Sequence, residues 1–571
     1  MKEAIAVFES FPQIQIDSRP GYQGYVIPSD SLLTVVKALK EECGYTYLSS
    51  VTGVDYLPDQ KMEVVYHLRR ISGGAPLVVK VQMEREDPHV PSLVSLYPGA
   101  EFQEREAWDL LGIKFDEHPN LKRILLWEGF EGHPLRKDWK EPFYEQDAKP
   151  YKSRWPEGKY ISAEERNPFK DNVQYPENFN PAGNQDTDRD LRNLFNVPVP
   201  TQSEFVSEHL VVNLGPQHPS THGVFRMLVE MDGETVVKVE PVIGYLHRNH
   251  EKICERNTYL QIMPYTDRLD YMASLSNNFG YALAVEKLAG IVPTERAEYI
   301  RVMMAELTRI SSHLIAVGFL MNDLGVYFTA ALYGLEEREL ILDIFQAVTG
   351  SRMMCNYFRF GGVAQDLPEG ILEKVRHLVF ERLPRKMDDF EKYLLENEIV
   401  KLRCQGVGVL TPQQAVAYST AGPVLRASGI KFDLRKAEPY SIYDRFDFDI
   451  PVTYHGDTYD RLVIRMQEMR QSLRIIQQVI QNIPEGPILA GKPTYQTRVP
   501  AGESYGAVEG PKGELGFYIV SDGSANPWRF HVRPPAFVNL TSFGEMSKNC
   551  KIADLVVILG GVDIVLGEVD R

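Results

Sequence analysis

A chain of 571 residues is longer than one ordinary domain, which runs to roughly 100–200 residues. Its apolar fraction of 43% suits a globular protein with a sizeable core, and its net charge of −16 excludes a nucleic-acid binder, which needs a basic footprint. Cys43, Cys254, Cys355, Cys404 and Cys550 are scattered with no CxxC, as expected of free thiols in a reducing compartment. No signal-peptide layout opens the sequence, and no run of ~18 apolar residues is present to cross a bilayer.

Residues 1–140 read as an α+β domain. Ser31 caps an amphipathic helix over 31–40, strands follow over 45–54, 62–69 and 76–83, and a short acidic helix over 104–113 ends at Gly112. His118 and His133 have no cysteine or second histidine close in sequence, so no metal is expected there. Over 141–204, eight prolines from Pro142 to Pro200 exclude long helices, and the stretch reads as an extended linker between two independent folding units.

The second unit, 205–571, opens with an alternating apolar run, His209-Leu-Val-Val-Asn-Leu214, that enters Gly215-Pro-Gln-His-Pro-Ser-Thr-His-Gly223. Glycine and proline make this a stiff turn that presents His218 and His222 before a further strand over 224–230. A rigid loop with two imidazoles suits proton donation or metal binding, and equally suits two rings that merely bond the turn. Helices are predicted over 266–290 (capped by Thr266 and Asp267), 293–323, 335–349, 368–397, 412–421 and 459–482. In the last, Leu462, Met466, Met469, Leu473, Ile476 and Ile480 form a bundle seam with charges elsewhere. Beyond Gly486 the chain returns to turn-rich β-structure and ends in the apolar runs 555–559 and 564–566. The fold class is therefore α+β: an N-terminal α+β domain, an extended linker, and a mainly α-helical-bundle domain with β-structure at both ends.

Nucleotide chemistry finds no support, because there is neither a GxxxxGK[ST] nor a GxGxxG between strand and helix. Paired cysteines for nickel or an iron–sulfur centre are missing too. Proton-coupled reduction of a bound organic molecule fits better. Asp267, Asp270 and Tyr271 are spaced to share a helix face, and Asp323 ends an apolar helix where a carboxylate calls for a cationic partner. Such a partner would be an arginine or a histidine, whose pKa it would raise.

These residues resemble a known family. Gly215-Pro-Gln-His-Pro-Ser-Thr-His-Gly223, Gly244-Tyr-Leu-His-Arg248, Tyr265-Thr-Asp-Arg-Leu-Asp-Tyr271, Gly361-Gly-Val363 with Asp366-Leu-Pro368, and Asp563-Ile-Val-Leu-Gly-Glu-Val-Asp-Arg571 are similar to the D-type subunit of bacterial NADH:quinone oxidoreductase (respiratory complex I, NDH-1). That subunit is related to nickel–iron hydrogenase large subunits. Glu104-Arg-Glu-Ala-Trp-Asp-Leu-Leu-Gly112 and His133-Pro-Leu-Arg-Lys-Asp138 resemble the C-type subunit, and the order is that of a fused C/D subunit.

The resemblance implies a peripheral-arm subunit of a proton-translocating oxidoreductase. His222 and Tyr271 match the ligands of the quinone oxygens, His218 shares their loop, and Asp323 matches the carboxylate paired with His222. Arg248 matches an arginine against a 4Fe-4S cluster carried by a B-type subunit. The chain itself would bind no metal or cofactor, with quinone as substrate. Implied partners are the B-type subunit, an I-type ferredoxin-like subunit, H-type and other membrane-arm subunits, and E/F/G-type NADH-oxidising subunits. The implied location is the cytoplasmic side of the inner membrane, peripheral. Val565 and Glu568 take the place of the hydrogenase's terminal cysteine pair, and Met354 stands where many members carry a cluster-proximal histidine. A membrane-bound hydrogenase subunit or another quinone-reducing complex, and a purely structural scaffold, are the rival readings.

Overall fold

The computed structural model describes residues 2–139, 209–218, 221–326, 329–491 and 497–571. The linker expected over 141–204 lies outside these residues. Five strands, β1 (Gln15–Ile16), β2 (Tyr25–Val26), β3 (Tyr47–Tyr56), β4 (Lys61–Arg69) and β5 (Leu77–Glu84), pair in the order β1-β2-β5-β4-β3. Only the β2/β5 pair is parallel. β3 and β4 are buried almost end to end, so both faces of this sheet are covered. Helix α1 (Leu32–Glu41) supplies Leu32, Val35, Val36 and Leu39 to the apolar cluster that holds Val51 and Val64. Helix α2 (Ala100–Leu111) stops at Gly112, whose φ of +80° suits glycine.

In the second unit, β6 (Leu210–Leu214), β7 (Arg226–Asp232) and β8 (Thr235–Val242) form an antiparallel sheet with β7 in the middle. After a short helix, His250–Arg256, come α3 (Tyr259–Thr266), α4 (Ser274–Ala289), α5 (Glu295–Asp323) and α6 (Thr329–Thr349). α5, 29 residues long, is buried around nearly its whole circumference, the mark of a helix at the centre of a bundle. α7 (Thr458–Asn482) packs on α5, and all six residues of the expected seam are buried. Its charges are not all outside, however: Arg461, Arg465 and Glu468 are buried too. Arg461 and Arg465 donate to the carbonyls of Gly408 at 2.6 Å and Gly561 at 2.7 Å, while Glu468 meets a counter-ion, as other ions of the bundle do. Arg426 bonds Glu468 at 2.7 Å and Glu509 at 2.9 Å, and Arg435 bonds Asp433 at 2.7 Å and Glu306 at 3.1 Å.

Three expectations need correction. The helix expected from Thr266 begins only at Ser274, because the Asp270 carboxylate takes the Met272 N–H at 3.1 Å and turns the chain aside. Asp267, Asp270 and Tyr271 therefore do not share a helix face. The run over 368–397 is helical but broken by two π-turns, Leu378–Arg382 and Glu391–Leu395, the first just ahead of Pro384, which has no N–H to give. The final apolar runs are not strands. After the hairpin β9 (Gly502–Gly510) and β10 (Gly513–Ser521) and the strand β11 (Arg529–Arg533) come helices α8 (Pro535–Thr541), α9 (Ile552–Val562) and α10 (Leu566–Val569).

The two units pack directly on each other. Tyr47 donates to the Ser419 carbonyl at 3.1 Å, Lys80 pairs with Glu503 at 2.6 Å, and one apolar cluster holds Tyr66 of the first unit with Phe537 and Leu559 of the second.

Candidate functional site

The histidine loop is tied by Thr221, whose hydroxyl lies 2.7 Å from the His218 carbonyl and 2.9 Å from the Gly223 carbonyl and shares its one proton between them. That turn drives His222 to a φ of +53°, a left-handed conformation that costs a side-chain-bearing residue about 1–2 kcal/mol. Strain of this kind persists where the surroundings hold it, and they often hold it for a purpose. Here the ring is delivered to the end of α5, with His222 Nε2 2.7 Å from Asp323 Oδ2. Burial disfavours the imidazolium, but the Asp323 hydrogen bond and charge, with the charge of Asp563, outweigh it and raise the His222 pKa. His218, on the same loop, is exposed.

Tyr271 is half-buried in the turn between α3 and α4. Burial, with the charges of Asp270 and Glu568, raises its pKa against the opposing pull of Lys512, so the phenol is protonated at neutral pH. The segment over 560–568 lies against both sites. A Cβ on Gly560 would fall 2.6 Å from Asp323 Oδ2, and one on Gly567 would fall 3.2 Å from the Tyr271 ring and 2.4 Å from the Leu269 carbonyl. Leu566, between them, presses on Gly223, where an added Cβ would lie 2.8 Å from its side chain.

Beside Tyr271 lies a group that sequence reasoning did not assemble. Lys512, in the turn of the β9–β10 hairpin, is buried and donates to Asp270 at 2.9 Å and to the Ser312 hydroxyl of α5 at 3.3 Å. Its Nζ lies 3.8 Å from Asp563. A lysine bracketed by glycines in a hairpin turn reads as solvent-facing, so nothing in the sequence marks it as buried.

Arg248 is exposed, and its charge, after burial itself, helps hold the neighbouring His250 down to about 4. Met354 is half-buried. Asp267 is fully buried; burial raises it to about 7 against the pull of Asn278 and Arg268. His118 and His133 bond the backbone carbonyls of Glu101 at 3.2 Å and Asp109 at 2.9 Å. Among the described residues, one trio has metal-like spacing: Glu106, Glu251 and His531. Arg571 pairs with Glu106 and Arg529 bonds Glu251 at 2.7 Å, so the carboxylates already answer to guanidinium groups.

Two family profiles match the chain. The respiratory-chain NADH dehydrogenase 30 Kd subunit fits residues 25–145, and the 49 Kd subunit fits 323–498 and 492–571. The first D-type NADH-quinone oxidoreductase subunit of Roseiflexus sp. is 57% identical over 372 residues, which are 64% of this chain and 99% of that protein. The D-type subunit of Dehalococcoides mccartyi is 54% identical over 365 residues, again 64% of this chain and 99% of that protein. The fused C/D-type subunit of Shewanella oneidensis is 39% identical over 543 residues, covering 90% of this chain and 85% of that protein. A 30 Kd match followed by a 49 Kd match, with one relative running through both, has one meaning: the chain belongs to the fused C/D-type subunits of NADH:quinone oxidoreductase, as a peripheral component of respiratory complex I.

Proposed function

We propose that this subunit forms one wall of the chamber in which quinone becomes quinol. His222, supported by Asp323, and Tyr271 hydrogen-bond the quinone oxygens and supply or relay the protons, with His218 at the rim of the same loop. Electrons arrive from a 4Fe-4S cluster of the B-type partner lying against Arg248, and the chain itself binds no metal. The observation that supports this most is the His222–Asp323 contact of 2.7 Å, which favours the charged form of a strained, half-buried imidazole. Negative charge builds on quinone oxygens as they are reduced, and preset donors aimed at it need no reorganisation. Loss of the His222 proton weakens its hold on Asp323, and movement of that carboxylate or the loop is the first step coupling chemistry to proton translocation.

Residues 1–140 serve as the C-type domain, 141–204 as the linker, and 205–571 as the D-type domain. Besides the B-type subunit, the I-type ferredoxin-like, H-type and other membrane-arm, and E/F/G-type NADH-oxidising subunits are its partners. These hold it on the cytoplasmic side of the inner membrane; no helix among the described residues is long and apolar enough to cross it. Tyr271→Phe keeps the ring and removes the proton, so the assembled complex should lose quinone turnover on the order of 10²-fold, the usual contribution of a positioned proton donor. His222→Ala should weaken binding of a quinone-site inhibitor while NADH still reduces the partner's cluster. Normal turnover in the phenylalanine variant would favour a scaffold role instead.

A further inference from the structure

Tyr271 lies in the turn between α3 and α4, so no helix ladder fixes it, and its place depends on how its neighbours are held. The Asp270 side chain supplies most of that hold. Its Oδ1 accepts the Met272 N–H at 3.1 Å, which ties the two residues flanking Tyr271 to each other across it. The Asp270 carbonyl accepts the Ala273 N–H at 3.0 Å and the Asn277 amide at 3.1 Å. The second carboxylate oxygen, Oδ2, takes Lys512 Nζ at 2.9 Å, with both residues 3% exposed. A carboxylate this buried keeps its charge only beside a cation, and among the described residues Lys512 is the one that pairs with it. The hairpin tip that carries Lys512 is itself fixed. Asn539 of α8 donates to the Lys512 carbonyl at 3.3 Å, Arg309 of α5 donates to the Gly510 carbonyl at 2.9 Å, and a Cβ on Gly422 would lie 2.4 Å from the Lys512 carbonyl. From that tip the side chain runs to Asp270, with a second bond to the Ser312 hydroxyl at 3.3 Å. Burial disfavours the ammonium, but Asp270, with the charges of Asp563 and Glu568, holds its pKa above the ordinary value.

We propose that the Lys512–Asp270 pair positions Tyr271: the hairpin lysine pins the aspartate, the aspartate pins the turn, and the turn presents the phenol to a quinone oxygen. The proposal rests on the reading of Tyr271 above. Both members act through Tyr271, so they are positioning residues and not quinone ligands. A hydroxyl set in place before charge builds on the quinone oxygen lowers the barrier more than one that must first find its position. Misplacing such a group by about 1 Å costs up to roughly 10²-fold in rate, so a loosened turn is enough to matter without any group being lost from the site.

The test is a double-variant cycle in the whole purified complex, reading quinone reduction beside electron transfer to an acceptor that draws upstream of the quinone site. Lys512→Met removes the ammonium and keeps most of the side chain's length. Asp270→Glu keeps the ion pair, but its carboxylate stands one methylene too far out to close the turn on Met272. Each should lower quinone reduction about tenfold and leave the upstream rate unchanged. In the Tyr271→Phe background no hydroxyl is left to misplace, and each should cost less than about twofold more. A pair with a merely structural role would cost the same in both backgrounds, and that result overturns the proposal, as does a full rate in either variant alone. Should Lys512→Met fail to assemble for want of a partner to Asp270, Asp270→Glu, which keeps both charges, decides on the same terms. Tyr271→Phe by itself separates the two ideas. If it turns over normally the quinone-site reading fails, and if it is slow while Lys512→Met and Asp270→Glu are fast, only the positioning pair fails.

Discussion

At the scale of single residues, the site works by opposing burial with charge. His222 would lose its proton more readily for being buried, and Asp323 reverses that. The sign matters for pH. A histidine whose folded pKa is raised is stabilising below its unfolded value of about 6.5, and that stabilisation is lost as pH rises through the folded value. Asp323→Asn removes the charge and keeps the burial, so the alkaline decline of quinone turnover in the assembled complex should move to lower pH, by roughly one unit. An unmoved profile would mean that another group holds the His222 proton. The need of Asp323 for a cationic partner was legible, since a carboxylate ending an apolar helix calls for one, and the structure gives it His222; the roles of His222 and Tyr271 toward quinone came only from the family resemblance. Lys512 was not legible, since burial of a turn lysine depends on what α5 and the Asp270 turn bring to it from 200 and 242 residues away in sequence. The left-handed backbone of His222 was equally invisible, because a Thr-His-Gly sequence would normally leave that conformation to the glycine.

At the scale of elements, the segment over 560–568 packs against Asp323 at Gly560 and against Tyr271 at Gly567, and it can do so because side chains are missing there. Gly560 lets α9 approach α5 until the Asp323 carboxylate fills the place of a Cβ. The obstacle there is the end of a side chain, which can swing away. Gly567 faces the Leu269 carbonyl, which cannot. Gly560→Ala should therefore leave the complex assembled but push Asp323 off His222. Quinone turnover should drop several-fold, with electron transfer to an acceptor that draws upstream of the quinone site unchanged. If both rates are kept, the close approach of α9 has no bearing on the pair. Sequence reading mistook this element for strands. Leu555 to Leu559 is a continuous apolar run, which periodicity cannot assign to strand or helix, and nothing in the sequence shows that Gly560 is needed for close packing. The long helices were easier, since α7 repeats its apolar residues at alternating spacings of four and three over 25 residues. The burial of Arg461, Arg465 and Glu468 on the same helix has no periodic signature, because it depends on partners such as Arg426 and Gly561 from other segments.

At the scale of the whole molecule, charge ties the first unit to the second. Arg571, buried at 2% exposure, pairs with Glu106 of α2, lies 3.6 Å from Glu251, and has its guanidinium 4.8 Å from the centre of the Phe537 ring. Next to it, Asp570 accepts the N–H groups of Gly244 at 2.9 Å and Leu246 at 2.7 Å, which fixes the loop that carries Arg248. Removing one member of a buried ion pair costs more than the pair is worth, because the partner's charge stays in the interior. Arg571→Ala should thus destabilise the protein by about 3–5 kcal/mol, seen as a lower temperature of thermal inactivation and less assembled complex. The double variant Arg571→Met with Glu106→Gln leaves a smaller uncompensated charge and keeps most of the volume. It should recover a good part of the assembly that the single variant loses. If the double variant is no better than Arg571→Ala, the pair's charge is not what joins the units, and the join rests on the shared apolar cluster and the other ion pairs, such as Lys80 with Glu503.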